Sequence, residues 1–194
     1  DVRTLCITRE TLARHDGLAD FAFAMQGLGT GALSLFGTAQ QQQWLAKTRA
    51  GKAISAFALS EPRSGSDVAN TEMTATRDGD AYVLNGGKAF ISGAGSTDVL
   101  VLMARAGGGG AGGISAFAVP ADAPGIRYGK KEHKMGWNSQ PTRTINFDNV
   151  RVPAENLLGS EGEGMRIAMK GLDGGRINIA TCSVGAAQGA LDAA

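Results

Sequence analysis

Cysteine and histidine, the residues that staple small scaffolds and hold metals, occur only twice each in this 194-residue chain. Cys6 and Cys182 are far apart and match no metal-ligand spacing, and His15 and His133 stand alone. That excludes a disulfide framework and offers no metal site. Two lone thiols fit a reducing compartment. An excess of one charge is missing as well. The formal net charge is +1, with Lys and Arg scattered, so there is no electrostatic footprint for nucleic acid or an anionic membrane. Nor is there an apolar run long enough to span a bilayer. Residues 21–37 carry no charge, but Gly27, Gly29, Gly31 and Gly37 interrupt them and Gln26 and Thr30 lie within them. The run also falls short of the roughly 20 residues a span needs, so a buried helix of a soluble bundle is the better reading.

What is present is material for a packed core. Hydrophobic residues make up 43% and charged residues 19%, which argues against disorder. Glycine is in excess, 29 residues or about twice the usual share, without a repeat. Glycines at turns and close approaches suit many short strands or a ligand that touches backbone.

The chain reads in three stretches. Residues 1–52 are helical: 8–14 are helix-forming, 21–37 follow, and Thr38 caps a helix over 39–49 that buries Trp44 and Leu45. Residues 53–158 change pattern. Segments 54–59, 73–77, 81–84 and 145–152 alternate, 99–103 and 114–119 are short apolar runs, and Asp78-Gly79-Asp80, Asn85-Gly86-Gly87 and Pro124-Gly125 mark turns. This spacing predicts an antiparallel, barrel-like β domain rather than βαβ units. From Gly159 the helical period returns, with Met165, Ala168, Met169, Leu172, Ile179, Val184, Ala187 and Leu191 near one face. It runs to Ala194 without a cap, so the expectation is a fragment, with 159–194 the first helix of a C-terminal helical bundle. The predicted fold class is α+β.

The most informative run is Phe57-Ala58-Leu59-Ser60-Glu61-Pro62-Arg63-Ser64-Gly65-Ser66-Asp67. A strand ends near Ser60, Pro62 stops ladder donation, and Gly65 permits an unusual turn. Backbone N–H groups and the hydroxyls of Ser60, Ser64 and Ser66 are then free to hold a flat polar heterocycle or a phosphate. On these residues alone an ordinary polar turn with an Asp67 cap is the simpler reading. Some 25 residues later comes Asn85-Gly86-Gly87-Lys88-Ala89-Phe90-Ile91-Ser92.

Both runs, in this order and spacing, resemble the two flavin-contacting signatures of the acyl-CoA dehydrogenase family. The resemblance continues through Phe147-Asp148-Asn149-Val150-Arg151-Val152-Pro153 to Leu172-Asp173-Gly174-Gly175-Arg176 and covers essentially the whole chain. Lys134-Met135-Gly136-Trp137-Asn138-Ser139-Gln140-Pro141-Thr142-Arg143 is similar to the isobutyryl-CoA branch. The resemblance implies FAD as cofactor, with Phe57 to Ser66 lining it and Ser66 also facing the CoA thioester. Phe90 would stack on the isoalloxazine, where many relatives have Trp. Ser92, after Ile91, would bring a hydroxyl to the reactive ring nitrogen, where many have Thr. An aromatic face and a donor are kept in both cases. Asp173, Gly174, Gly175 and Arg176 would line the acyl-CoA cavity.

Two adjacent glycines inside a helix cost about 2 kcal/mol relative to Ala, which close helix packing, a kink or room for an acyl chain could justify. One branch of the family carries its catalytic Glu at the position of Gly175, so no catalytic base is expected within these residues. The implied activity is α,β-dehydrogenation of a short or branched acyl-CoA, with electrons passed to an electron-transferring flavoprotein. A homotetramer or dimer in the bacterial cytoplasm or mitochondrial matrix is implied as well. An acyl-CoA oxidase or nitroalkane oxidase relative, or a non-catalytic flavin- or acyl-CoA-binding module, are the rival readings. For Trp137, core packing is a plain alternative to a functional role. The glycine-rich 107–113 reads as a flexible hairpin loop.

Overall fold

The computed structural model describes residues 1–194. Helix α1 spans Val2–His15 and α2 spans Gly17–Phe36. Asp16 both ends the first and starts the second: its N–H donates to the Leu12 carbonyl, and its carboxylate accepts from the N–H groups of Leu18 and Ala19. Across this joint Arg9 and Asp20 form a buried bidentate pair at 2.8 and 2.7 Å, and Arg9 also donates to the Asn178 side chain at 2.7 Å. Helix α3 is shorter than expected, Gln43–Arg49. The Thr38 hydroxyl does accept from the Gln41 N–H, but it caps a turn, and the helix begins beyond it. Trp44 and Leu45 are half-buried against the core.

Eight strands follow: β1 Ser55–Ala58, β2 Thr74–Asp78, β3 Ala81–Ser92, β4 Val99–Arg105, β5 Ile114–Pro120, β6 Ile126–Tyr128, β7 Thr142–Pro153 and β8 Leu157–Leu158. They form one sheet ordered β6-β7-β3-β2-β4-β5-β8, with β1 also paired to β4. Most pairings are antiparallel, as the turn spacing predicts. β4, however, meets β1 and β2 in parallel, and the outer strands β6 and β8 do not pair, so the sheet is mixed and open rather than closed. Helix α4 spans Gly164–Ala193.

The sheet has a core on each face. Leu100, Leu102 and Ala104 of β4 and Phe117 and Val119 of β5 face a cluster with Met73, Tyr82, Leu84, Ile145, Phe147 and Val152. The alternate residues, Val99, Val101, Met103, Ile114, Ala116 and Ala118, pack on Ala32 and Leu33 of α2 and Ile167 and Ala168 of α4. Burial on both faces is why β4 and β5 read as continuous apolar runs and the other strands as alternating ones. Helix α4 touches α1 at Gly185, where an added Cβ would lie 2.1 Å from the Glu10 carbonyl oxygen. Close helix packing thus falls at Gly185 and at Gly189, while a Cβ at Gly174 or Gly175 would meet nothing within 4 Å. Both cysteines are unpaired, and no helix is long and apolar enough to cross a membrane.

Candidate functional site

A cavity of about 260 Å³ lies between β1, β3, α2 and α4. Its wall includes Phe57, Leu59 and Ser60 from the β1 side, Phe90, Ile91 and Ser92 from β3, Met25 and Leu28 from α2, and Leu172 from α4. Helix α2 reaches the sheet because Gly29 has no side chain: a Cβ there would sit 2.5 Å from the Ser55 hydroxyl and 2.8 Å from its backbone. One turn earlier, the side-chain amide oxygen of Gln26 accepts from the Ser55 N–H at 2.9 Å. Together these turn Met25 and Leu28 toward the cavity.

Phe90 is the most unusual residue of the wall. It is 70% exposed, and its φ of +56° lies in the left-handed region that bulky residues avoid. The β3–β7 register shifts between Lys88 and Ile91, so a bulge turns Phe90 outward from the alternation of the strand. The strand thus holds an exposed aromatic ring on a left-handed backbone at the cavity rim.

The first signature divides among three roles. Phe57, Leu59 and Ser60 face the cavity, and Ala58 points into the opposite core. Glu61 is buried beneath the turn. Its Oε1 pairs with Lys88 Nζ at 2.7 Å, and its Oε2 accepts from the Glu72 N–H at 2.7 Å and the Met73 N–H at 3.3 Å. Ser64 is buried and donates its hydroxyl to the Asp67 carbonyl at 2.7 Å. Pro62, Arg63, Gly65 and Ser66 are exposed on the outer side of the turn. Asp67 holds the Asn70 side chain. On α4, Leu172 reaches the cavity. Its neighbours Asp173 and Arg176 are exposed, and Gly174 and Gly175 are half-buried.

Sequence reasoning missed several residues here. Met25 and Leu28 read only as part of an apolar helix, and their direction depends on Gly29 and Gln26. Lys88 lay within the second signature, yet nothing in its neighbours announced a buried ammonium. Burial pushes that ammonium below its ordinary value, and the Glu61 hydrogen bond offsets part of the shift. Trp137 is not core: it is 51% exposed, has φ +51°, and stacks on Phe21 at 4.3 Å between ring centroids. Phe21 lies one helical turn from Met25, so the stack joins the 129–141 loop to the helix that walls the cavity.

The donor set fits one face and edge of a flavin ring: an exposed aromatic, two half-buried serine hydroxyls, and apolar walls. No carboxylate, histidine or lysine lines the cavity.

Residues 56–150 match the family model described as acyl-CoA dehydrogenase, middle domain. Mitochondrial isobutyryl-CoA dehydrogenase of Dictyostelium discoideum is 46% identical over 95% of this chain and 45% of that protein. The protein of the same name from Bos taurus is 52% identical over 71% of this chain and 33% of its own length. Among solved structures, butyryl-CoA dehydrogenase from Megasphaera elsdenii superposes with a TM-score of 0.92 at 39% identity, over 99% of this chain and 51% of that one. The chain therefore spans about half the length of the relatives it matches, or less.

Proposed function

This chain belongs to the acyl-CoA dehydrogenase family, and from that premise we propose that it forms the flavin seat of an enzyme that dehydrogenates a short or branched acyl-CoA such as isobutyryl-CoA. FAD, when bound, supplies the hydride acceptor. The observation that carries the reading is Phe90, an exposed aromatic in a left-handed backbone, facing a cavity shared with Ser60 and Ser92. The Phe90 ring offers its face for stacking, and the Ser92 and Ser60 hydroxyls offer edge hydrogen bonds. Phe57, Leu59, Met25, Leu28 and Leu172 exclude water and leave apolar space for a short acyl chain.

The cavity accepts a ring and not a whole dinucleotide. The rest of FAD then lies along the exposed turn of Pro62, Arg63, Gly65 and Ser66 or against a second subunit, as a homo-oligomer provides. Asp173, Gly174, Gly175 and Arg176, next to Leu172, are assigned to the acyl-CoA side. The cavity wall holds no proton acceptor, which supports our assignment of the group that takes the α-proton to a position outside these 194 residues. Electrons leave to an electron-transferring flavoprotein, and the compartment is a bacterial cytoplasm or a mitochondrial matrix.

The test has two arms. FAD titrated into the protein should show quenched fluorescence, and Phe90→Ala and Ser92→Ala should each weaken binding about tenfold or more. The 194-residue chain should not turn over isobutyryl-CoA or butyryl-CoA with a dye acceptor. Turnover by that chain overturns the assignment of the base, and absence of flavin binding with an intact fold overturns the seat.

A further inference from the structure

Two walls of the cavity come from strands that share no ladder. β1 pairs only with β4, and β3 pairs only with β2 and β7. Ser60 and Phe90 can therefore drift relative to each other unless something else fixes them. Three contacts do so. The Ala89 N–H donates to the Ser60 carbonyl at 2.9 Å, Lys88 Nζ donates to the Leu59 carbonyl at 3.0 Å, and Lys88 Nζ pairs with Glu61 at 2.7 Å. The second oxygen of Glu61 takes the N–H groups of Glu72 and Met73, which adds the segment entering β2.

We infer that the buried Glu61–Lys88 pair is a positioning device that ties the 59–64 turn to β3 and so sets the separation of the Ser60 and Phe90 walls. The inference rests on the reading of the cavity as a flavin seat. Its side chains are 4% and 0% exposed. A buried ion pair is a poor means of stability, because an apolar pair of similar volume serves as well or better. Its advantage is directional: each charge accepts only a few geometries, and every polar atom here has a named partner. The same bulge that turns Phe90 out breaks the alternation that would otherwise put residues 88 and 90 on one face. Lys88 is 1% exposed and Phe90 is 70% exposed, so the strand delivers an anchor inward and a ring outward two residues apart.

The experiment compares the protein with Glu61→Gln/Lys88→Met, Glu61→Asp and Ser92→Ala. The double variant removes both charges and strands neither, so its melting temperature should stay within a few degrees of the parent. In the flavin-free protein, hydrogen exchange at the Glu61, Ser64 and Ala89 amides should still quicken tenfold or more, and FAD should bind tenfold or more weakly. Glu61→Asp, which keeps both charges but shortens the reach, should show the same pattern in milder form and guards against a double variant that does not fold. Ser92→Ala should weaken FAD while leaving those amides at parent rates. Parent-like exchange and FAD affinity in the double variant or in Glu61→Asp overturn the inference, as does equal acceleration in Ser92→Ala. If the parent binds no FAD, the functional reading fails, and the exchange rates alone still decide whether the pair holds the turn.

Discussion

The sheet and the helical layer are held in opposite ways. Strands β4 and β5 are covered on both faces, and from Val99 to Ala104 and from Ile114 to Phe117 every residue is fully buried. Helix α4 is fastened on the sheet by Ile167 with Ala168, and on α1 by the Arg9–Asn178 hydrogen bond and at Gly185 and Gly189. Between and beyond them Ile177, Ile179, Val184 and Leu191 are 58%, 49%, 55% and 71% exposed. The helical layer is fixed at a few points and keeps an uncovered apolar face. The cavity sits where the two meet, with a rigid β wall and a helical wall that depends on Gly29 and Gln26.

The largest expected effect is on the sheet. Phe117 is fully buried and meets Tyr82 edge-on at 5.0 Å between centroids. Phe117→Ala should cost about 3–5 kcal/mol of unfolding free energy, measured by denaturant unfolding. A cost under about 1 kcal/mol would break the claim that this core carries the stability. Next is the helical seam. Gly185→Val forces a side chain against the Glu10 backbone and should cost about 1–3 kcal/mol. It should also quicken exchange in α1 while β4 and β5 keep parent protection. Equal loss of protection in the sheet would show that the two layers unfold as one.

The sequence made the sheet more legible than the seam. Alternation marked β1, β2, β3 and β7, apolar runs marked β4 and β5, and turn pairs divided them, since the burial pattern of a strand is a local property. The short β6 and β8 and the parallel pairing of β1 with β4 were not legible, because partner choice depends on distant chain. The site split in the same way. Phe57, Ser60, Phe90 and Ser92 were named from two local runs. Met25, Leu28 and the buried ammonium of Lys88 were not, because the placement of each depends on contacts with residues far away in sequence. Gly174 and Gly175 were noticed for the helix cost, yet the glycines that α1 requires are Gly185 and Gly189, whose neighbours Glu10 and Arg14 lie at the other end of the chain.

On the exposed face of α4 the comparison predicts almost nothing. Leu191→Ser should change stability by no more than about 0.5 kcal/mol in this chain. A loss above about 1 kcal/mol, growing with protein concentration, would show that a second copy covers this face.

The smallest effect sharpens how α4 begins. Glu163 accepts from the Ser160 N–H at 3.0 Å and pairs with Arg166 at 2.6 Å, and these contacts, the backbone one first, hold its carboxyl below the ordinary value of 4.5. A carboxyl lowered in the folded state stabilises it above its unfolded value, and that stabilisation is lost as pH falls through the folded value. Glu163→Gln should therefore lower the melting temperature slightly at pH 7. The gap from the parent should close as the pH drops below the glutamate range, because both side chains are then neutral acceptors for Ser160. A gap that persists unchanged in acid would mean that packing, not charge, sets the start of α4.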